Sequence, residues 1–274
     1  LMQVREFRQL ISEVEDFPLQ YFYDVRESIV RIRIENTHLE ENELFDLRRS
    51  LSTIESIVKI LNHSDEDDSH AEENDGWRRE KKYTYPALHR LAKDVITFPQ
   101  IIQRIDQILD KYGKIRDNAT PELLQIRREL AKTEGSISRT LYSILRSAQS
   151  EGVVEKDVTP TLRDGRLVIP VIPTLKKKIK GIVHDESATG KTVFIEPTEV
   201  VEANNRVREL EGEERKEIIR ILTSFTNKVR PYVREMMDSY RFLAKIDLIQ
   251  AKAKIAEIFK AIEPEVEDLS LIHI

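Results

Sequence analysis

Residues 121–148 place Leu123, Ile126, Leu130, Ile137, Leu141 and Ile144 at steps of three, four and seven, with Glu134 interrupting the seam. This is the spacing of one helix face. Thr120-Pro121-Glu122 opens the segment as a helix should open. It supplies a capping hydroxyl, a Pro whose missing N–H is not needed in the first turn, and a carboxylate near the positive end of the dipole. A helix over this stretch is about 42 Å long at 1.5 Å per residue, too long to sit inside a small globule. It reads as an arm, and an arm needs a return. Val200, Ala203, Val207, Leu210, Ile218, Ile221 and Phe225 supply one. Pro231 then breaks the pattern, and Val233, Met236, Tyr240, Leu243, Leu248, Ala251, Ile255 and Ile258 mark a further helix.

Between the two arms the pattern changes. Val158–Arg163, Arg166–Val171, Ile179–Asp185 and Thr192–Ile195 are short, rich in β-branched residues and bounded by Gly, Pro and Asp. Asp164-Gly165 is a strong two-residue hairpin signal, and Ala188-Thr189-Gly190 marks a second turn. The expected fold is mainly α: a long-helix bundle with a small antiparallel four-stranded sheet inserted at the tip of the arms. The chain has only 8 Gly and 10 Pro in 274 residues and is 34% charged, against about 25% in an ordinary soluble domain, which suits long solvated helices.

The amino-terminal third is also read as helical. Phe7, Ile11 and Val14 mark a first helix that Phe17-Pro18 ends, and a short one runs near Asp24–Ile34. Thr37-His38-Leu39-Glu40 has the form of a capping box. Beyond it Leu44, Leu47, Leu51, Ile54, Val58 and Leu61 form a heptad seam. Helices resume after Pro86 and Pro99, with Ile101, Ile105, Ile108 and Tyr112 on one face and Gly113 as the stop. The acidic stretch 62–75 repels itself and cannot bury apolar surface, so it reads as a loop. It lacks the central Gly and downstream Glu of a calcium loop.

Composition excludes several function classes. The absence of Cys rules out disulfides and thiolate chemistry and fits a cytoplasmic location. No apolar run approaches a membrane span, and no secretory signal is read. The net charge of −5 excludes a uniformly basic nucleic-acid binder but not a local basic patch. Gly190-Lys191-Thr192 mimics the end of a phosphate loop, yet Asp185 stands where that loop needs Gly and a strand follows where it needs a helix. The six His show no metal-ligand spacing, and His184-Asp185-Glu186 has no nucleophile beside it. No cofactor or metal site and no catalysis are therefore expected in this chain. From Pro160 to Lys191 the cations Arg163, Arg166, Lys176, Lys177, Lys178, Lys180 and Lys191 exceed the acids, for a local charge of +4. Such a patch neutralises phosphates without reading sequence, and it equally suits a strand edge guarded by Lys against aggregation.

The phrases RDGRLVIPV (163–171), KGIVHDESATG (180–190), TVFIEP (192–197) and VVEANN (200–205) form a specific set. With them the chain resembles the MutS proteins, in particular the bacterial second branch that lacks the mismatch-reading domain. FYDVR (22–26) and GKIRDNATPEL (113–123) are similar as well, and the resemblance runs from the first helix to about Ala256. It implies core and outbound lever helices over 1–148, a clamp sheet over 149–198, returning lever helices over 199–262 and a tail over 263–274. It further implies a homodimer that closes on DNA. The seven cations are expected to contact the phosphate backbone of duplex or branched DNA, because of their local excess of charge at the expected tip. ATP and Mg belong to an ATPase domain, and a Smr nuclease domain lies further on; neither is read in this sequence. Suppression of recombination and rescue of collided ribosomes are the roles ascribed to the branch. The alternative is a coiled-coil module for dimerisation or ribosome contact that does not itself bind DNA. Leu269–Ile274 resembles the translation of a transposon end used in sequencing libraries and is expected to be non-native.

Overall fold

The computed structural model describes residues 1–14, 16–19, 22–64 and 83–262. The acidic stretch beyond Ser64 and the tail from 263 lie outside the described residues, so the readings made of them stay expectations. The described chain forms α1 (Met2–Glu13), α2 (Arg26–Arg31), α3 (Glu41–Leu61), α4 (Pro86–Ala92), α5 (Pro99–Ile108), α6 (Pro121–Ser150), β1 (Thr161–Arg163), β2 (Arg166–Val171), β3 (Gly181–Glu186), β4 (Val193–Pro197), α7 (Val201–Val229) and α8 (Val233–Ile258). The expected class is observed: mainly helical, with one small antiparallel sheet. The chain divides into two compact units, one of Leu1–Lys114 with Leu222–Ile274 and one of Ile115–Ile221.

In the first unit α3 packs against α4, α5 and α8, and α1 against α4 and α8. All six residues of the heptad seam, Leu44 to Leu61, are buried, and so are Ser50, Thr53 and Ile57. A stripe this wide is the mark of a helix enclosed by neighbours within its own chain, and the seam is not free to wind around a partner. Polar groups tie the unit at long range. The Thr226 hydroxyl accepts from the Leu39 N–H at 3.0 Å, and Arg230 donates to the Ile32 carbonyl at 2.6 Å.

Four local expectations need correction. Thr37 does not cap α3; its hydroxyl donates to the Ile34 carbonyl, and Glu40 is the cap, with the Glu43 carboxylate accepting from its N–H at 2.9 Å. In α1 the buried pair is Phe7 and Leu10, while Ile11 is exposed. Helix α5 ends at Ile108, and Gly113, at φ +81°, closes a later turn that leaves Tyr112 exposed. At the end of α8 the inward residues are Ile246, Ile249 and Ala253, whereas Leu248, Ile255 and Ile258 face solvent.

The second unit is built on α6 and the start of α7. The Thr120 hydroxyl accepts from the Leu123 N–H at 3.1 Å, so the predicted cap is the one observed. The two helices run antiparallel, joined by ion pairs: Arg127 to Glu214 at 2.7 Å and Arg206 to Glu129 at 2.8 Å. Toward the carboxyl end of α6, contacts become apolar. Ile137, Leu141, Leu145 and Ala148 join Ile169, Val171, Val193, Ile195 and Val207 in one core beneath the sheet. The strands are ordered β1-β2-β4-β3, all antiparallel. Asp164 and Gly165 both have positive φ, the two-residue turn that DG favours.

Candidate functional site

Alternation along β2 and β4 sends Ile169, Val171, Val193 and Ile195 into the core and Arg166, Val168, Phe194 and Glu196 to the opposite face. That second face holds a buried polar network. Glu196 is fully buried, in the middle of an otherwise apolar strand. Its carboxylate accepts from Arg166 Nη1 at 2.7 Å and Asn204 Nδ2 at 2.7 Å, and lies 2.5 Å from His184 Nε2. Arg166 reaches on to Asn205 Oδ1 at 2.6 Å, and Asn204 to the Leu167 carbonyl at 3.3 Å. A bulge between Val183 and Asp185 breaks the β3–β4 register at His184. Burial alone would raise the Glu196 carboxyl's pKa. The hydrogen bonds from Arg166, His184 and Asn204 and the charge of Arg166 outweigh it and hold the group below its ordinary value. Every acceptor here is met by protein donors, so the arrangement is suited to joining strands to α7 and not to binding a ligand.

The seven predicted cations are not one cluster. Arg166 is committed to Glu196, its side chain only 15% exposed. Arg163 lies over the Phe194 ring, 4.2 Å from its centroid, with Asp185 at 3.9 Å. Lys176, Lys177 and Lys178 end the 3₁₀ turn Pro173–Lys178 that links β2 to β3; all three are exposed. Three consecutive residues on a helix of three per turn point in three directions. Lys180 precedes Gly181, which pairs with Pro197, while Lys191 sits in the turn before Val193. The two therefore lie at opposite ends of β4, about 13 Å or more apart at 3.3 Å per residue. None of the five lysines has an ion-pair partner among the described residues. They form a belt along the β2–β3 and β3–β4 connections.

Gly190-Lys191-Thr192 is a hairpin turn, with Gly190 at φ +66° and the Thr192 carbonyl accepting from the Ser187 N–H at 2.8 Å. It leads into a strand, so it offers no helix N-terminus to a nucleotide's phosphates. Among the described residues no group of three or more His, Asp and Glu is placed to hold a metal ion.

The Glu196 network was missed from sequence. Its members stand at 166, 184, 196, 204 and 205, too scattered for any spacing rule. One signal was present: a lone Glu closing the apolar run Val193-Phe194-Ile195, where an unpaired charge would be costly.

No family model matches the chain. Among curated proteins it is similar to endonuclease MutS2 of Levilactobacillus brevis, 36% identical over 94% of this chain and 30% of that protein. It is also similar to endonuclease MutS2 of Geobacillus sp. (strain WCH70), 33% identical over 94% of this chain and 31% of that protein. The protein of the same name from Halothermothrix orenii is 30% identical over 100% of this chain and 33% of its own length. The chain thus spans about a third of the length of the curated relatives it matches.

Proposed function

This chain is a MutS2-type family member, matched over a segment of its longer relatives, and we propose that it is the non-catalytic DNA-binding clamp and lever portion of a MutS-type ATPase. In this reading the sheet with its flanking turns is the clamp, and α6 with α7 are the levers that relay ATPase state within a homodimer. Lys176, Lys177, Lys178, Lys180, Lys191 and Arg163 meet the phosphate backbone of duplex or branched DNA, while Arg166 keeps the sheet in shape through Glu196. ATP and Mg act in sequence that the longer relatives carry outside the matched segment. The observation that carries this reading is the belt of five exposed lysines, none of them neutralised by an acid among the described residues. Lysines held this way bind phosphate and displace its counterions without reading bases.

The test is fluorescence anisotropy of a labelled duplex and a four-way junction at several salt concentrations. Replacing Lys176, Lys177 and Lys178 by Glu should abolish binding at moderate salt. It should also flatten the slope of log K against log salt by about 2.7, at about 0.9 for each phosphate no longer neutralised. Unchanged affinity and slope would refute it.

A second reading, a protein-docking module for a dimer mate or the ribosome, is favoured by one observation. Leu248, Ile255, Ile258, Phe259 and Ile262 leave the end of α8 apolar and exposed. Sedimentation distinguishes the two: a dimer that forms without DNA and dissociates when Ile255 and Phe259 become Ser supports docking.

A further inference from the structure

Helix α6 carries a second cationic surface. Its inward face is set by Leu123, Ile137, Leu141, Leu145 and Ala148. At 100° per residue, Arg128, Lys132, Arg139 and Arg146 fall within about 40° of one another on the opposite side. All four are exposed, and none has an ion-pair partner among the described residues. The acids of α6, Glu122, Glu129 and Glu134, stand about 80° or more from the centre of this stripe, so nothing on the helix interrupts it. Tyr142, 47% exposed, and Gly135 lie on the same face. Arg127, the remaining cation of α6, lies off the stripe and is paired to Asp117 and Glu214. The neutralised and the free cations are thus sorted by helix face.

We infer that this stripe is a binding ridge for the phosphate backbone of duplex DNA, separate from the lysine belt of the sheet. From Arg128 to Arg146 it runs about 27 Å in a straight line, the length of about eight base pairs. A straight row of like charges is matched by a straight polyanion, and duplex DNA is stiff over far longer distances. Beside the cations this face carries Gly135, Ser143 and one large ring, Tyr142, with no aliphatic side chain among them, so it offers little apolar surface for a protein partner to bury. The absence of a side chain at Gly135 and small Ser143 beside the stripe leave room for a backbone to come close to the helix. Because the stripe and the sheet lie on opposite sides of α6, the two surfaces engage different phosphates.

The test replaces Arg128, Lys132, Arg139 and Arg146 together by Gln in the full chain. These side chains make no ion pair among the described residues, so the variant should melt with the wild type, which circular dichroism checks. Titration of labelled duplex DNA and duplex RNA from about 50 to about 200 mM salt reads the ridge. The expected result with DNA is a slope flatter by about 3.6, so that the variant loses about a hundredfold less affinity across that range. An unchanged slope with DNA overturns the inference, as does a loss seen only with RNA. The triple-lysine variant is run in parallel. If it alone binds normally, the clamp reading fails while the ridge stands; if only the four-fold variant does, the reverse holds.

Discussion

Glu196→Gln isolates the charge of the buried carboxylate while keeping its shape. In the native chain Glu196 takes donors from Arg166, Asn204 and His184 at 2.7, 2.7 and 2.5 Å. The amide oxygen of Gln still accepts from Arg166 and Asn204, and its NH₂ takes the place of the oxygen that faces His184 Nε2. What is lost is charge assistance, worth about 1–1.5 kcal/mol at the Arg166 bond. The guanidinium is also left with little solvent and no counter-ion, which brings the expected cost to about 2 kcal/mol, below the 3–5 typical of a buried pair broken outright. The sign of the pH dependence follows from the depressed carboxyl. Its contribution is complete above its ordinary value of 4.5 and is lost as pH falls through the lower native value. Native-state hydrogen exchange, read on peptides covering residues 166–171 and 193–197 and corrected for intrinsic rates, gives the local free energy. At neutral pH the variant should lose about thirtyfold in protection. The gap should hold down to about pH 5 and close in stronger acid. A gap below about threefold at neutral pH, or one that persists undiminished in strong acid, would refute the assignment of Glu196 as the ionised centre of the sheet.

Two backbone predictions bear on the same unit. A Cβ at Gly181 would fall far inside contact distance of the Glu196 carbonyl, so Gly181→Ala should cost about 3 kcal/mol; an unchanged melting temperature would show that β3 does not approach β4 as closely as described. Gly135 and Gly212 lie inside α6 and α7 with nothing nearer to a new Cβ than the Arg215 terminal nitrogen at 4.0 Å. Ala at either site should therefore stabilise by about 0.5–1 kcal/mol in urea titrations, and destabilisation would contradict the regular helical geometry at that position.

The arms and the sheet were legible because each rests on short-range rules. Periodicity marks a helix wherever it is long, and a DG pair marks a hairpin whatever surrounds it. The errors fall where local rules compete. Thr37 matched the capping pattern, but Glu40 stands at the junction itself, and Glu43 is already oriented by Ser28 and Arg31. The seam of α3 looked like a coiled coil because six residues obey the heptad. Only tertiary packing shows Ser50, Thr53 and Ile57 buried beside them.

The candidate site was legible by composition and illegible by geometry, for one physical reason: charge counted along the chain is not charge sorted by face. Counting placed Arg166 with the lysines because it is near them in sequence, yet strand alternation turns it toward Glu196, thirty residues on. Counting passed over Arg128, Lys132, Arg139 and Arg146 because acids are interspersed with them along the chain. The apolar seam read on α6 already fixed that helix's orientation. Rotating half a turn from Leu123, Ile137 and Leu141 brings the four cations into line with no acid among them. Where an apolar face is known, the charge on the opposite face is the quantity to count, and for α6 it is +4 against nothing.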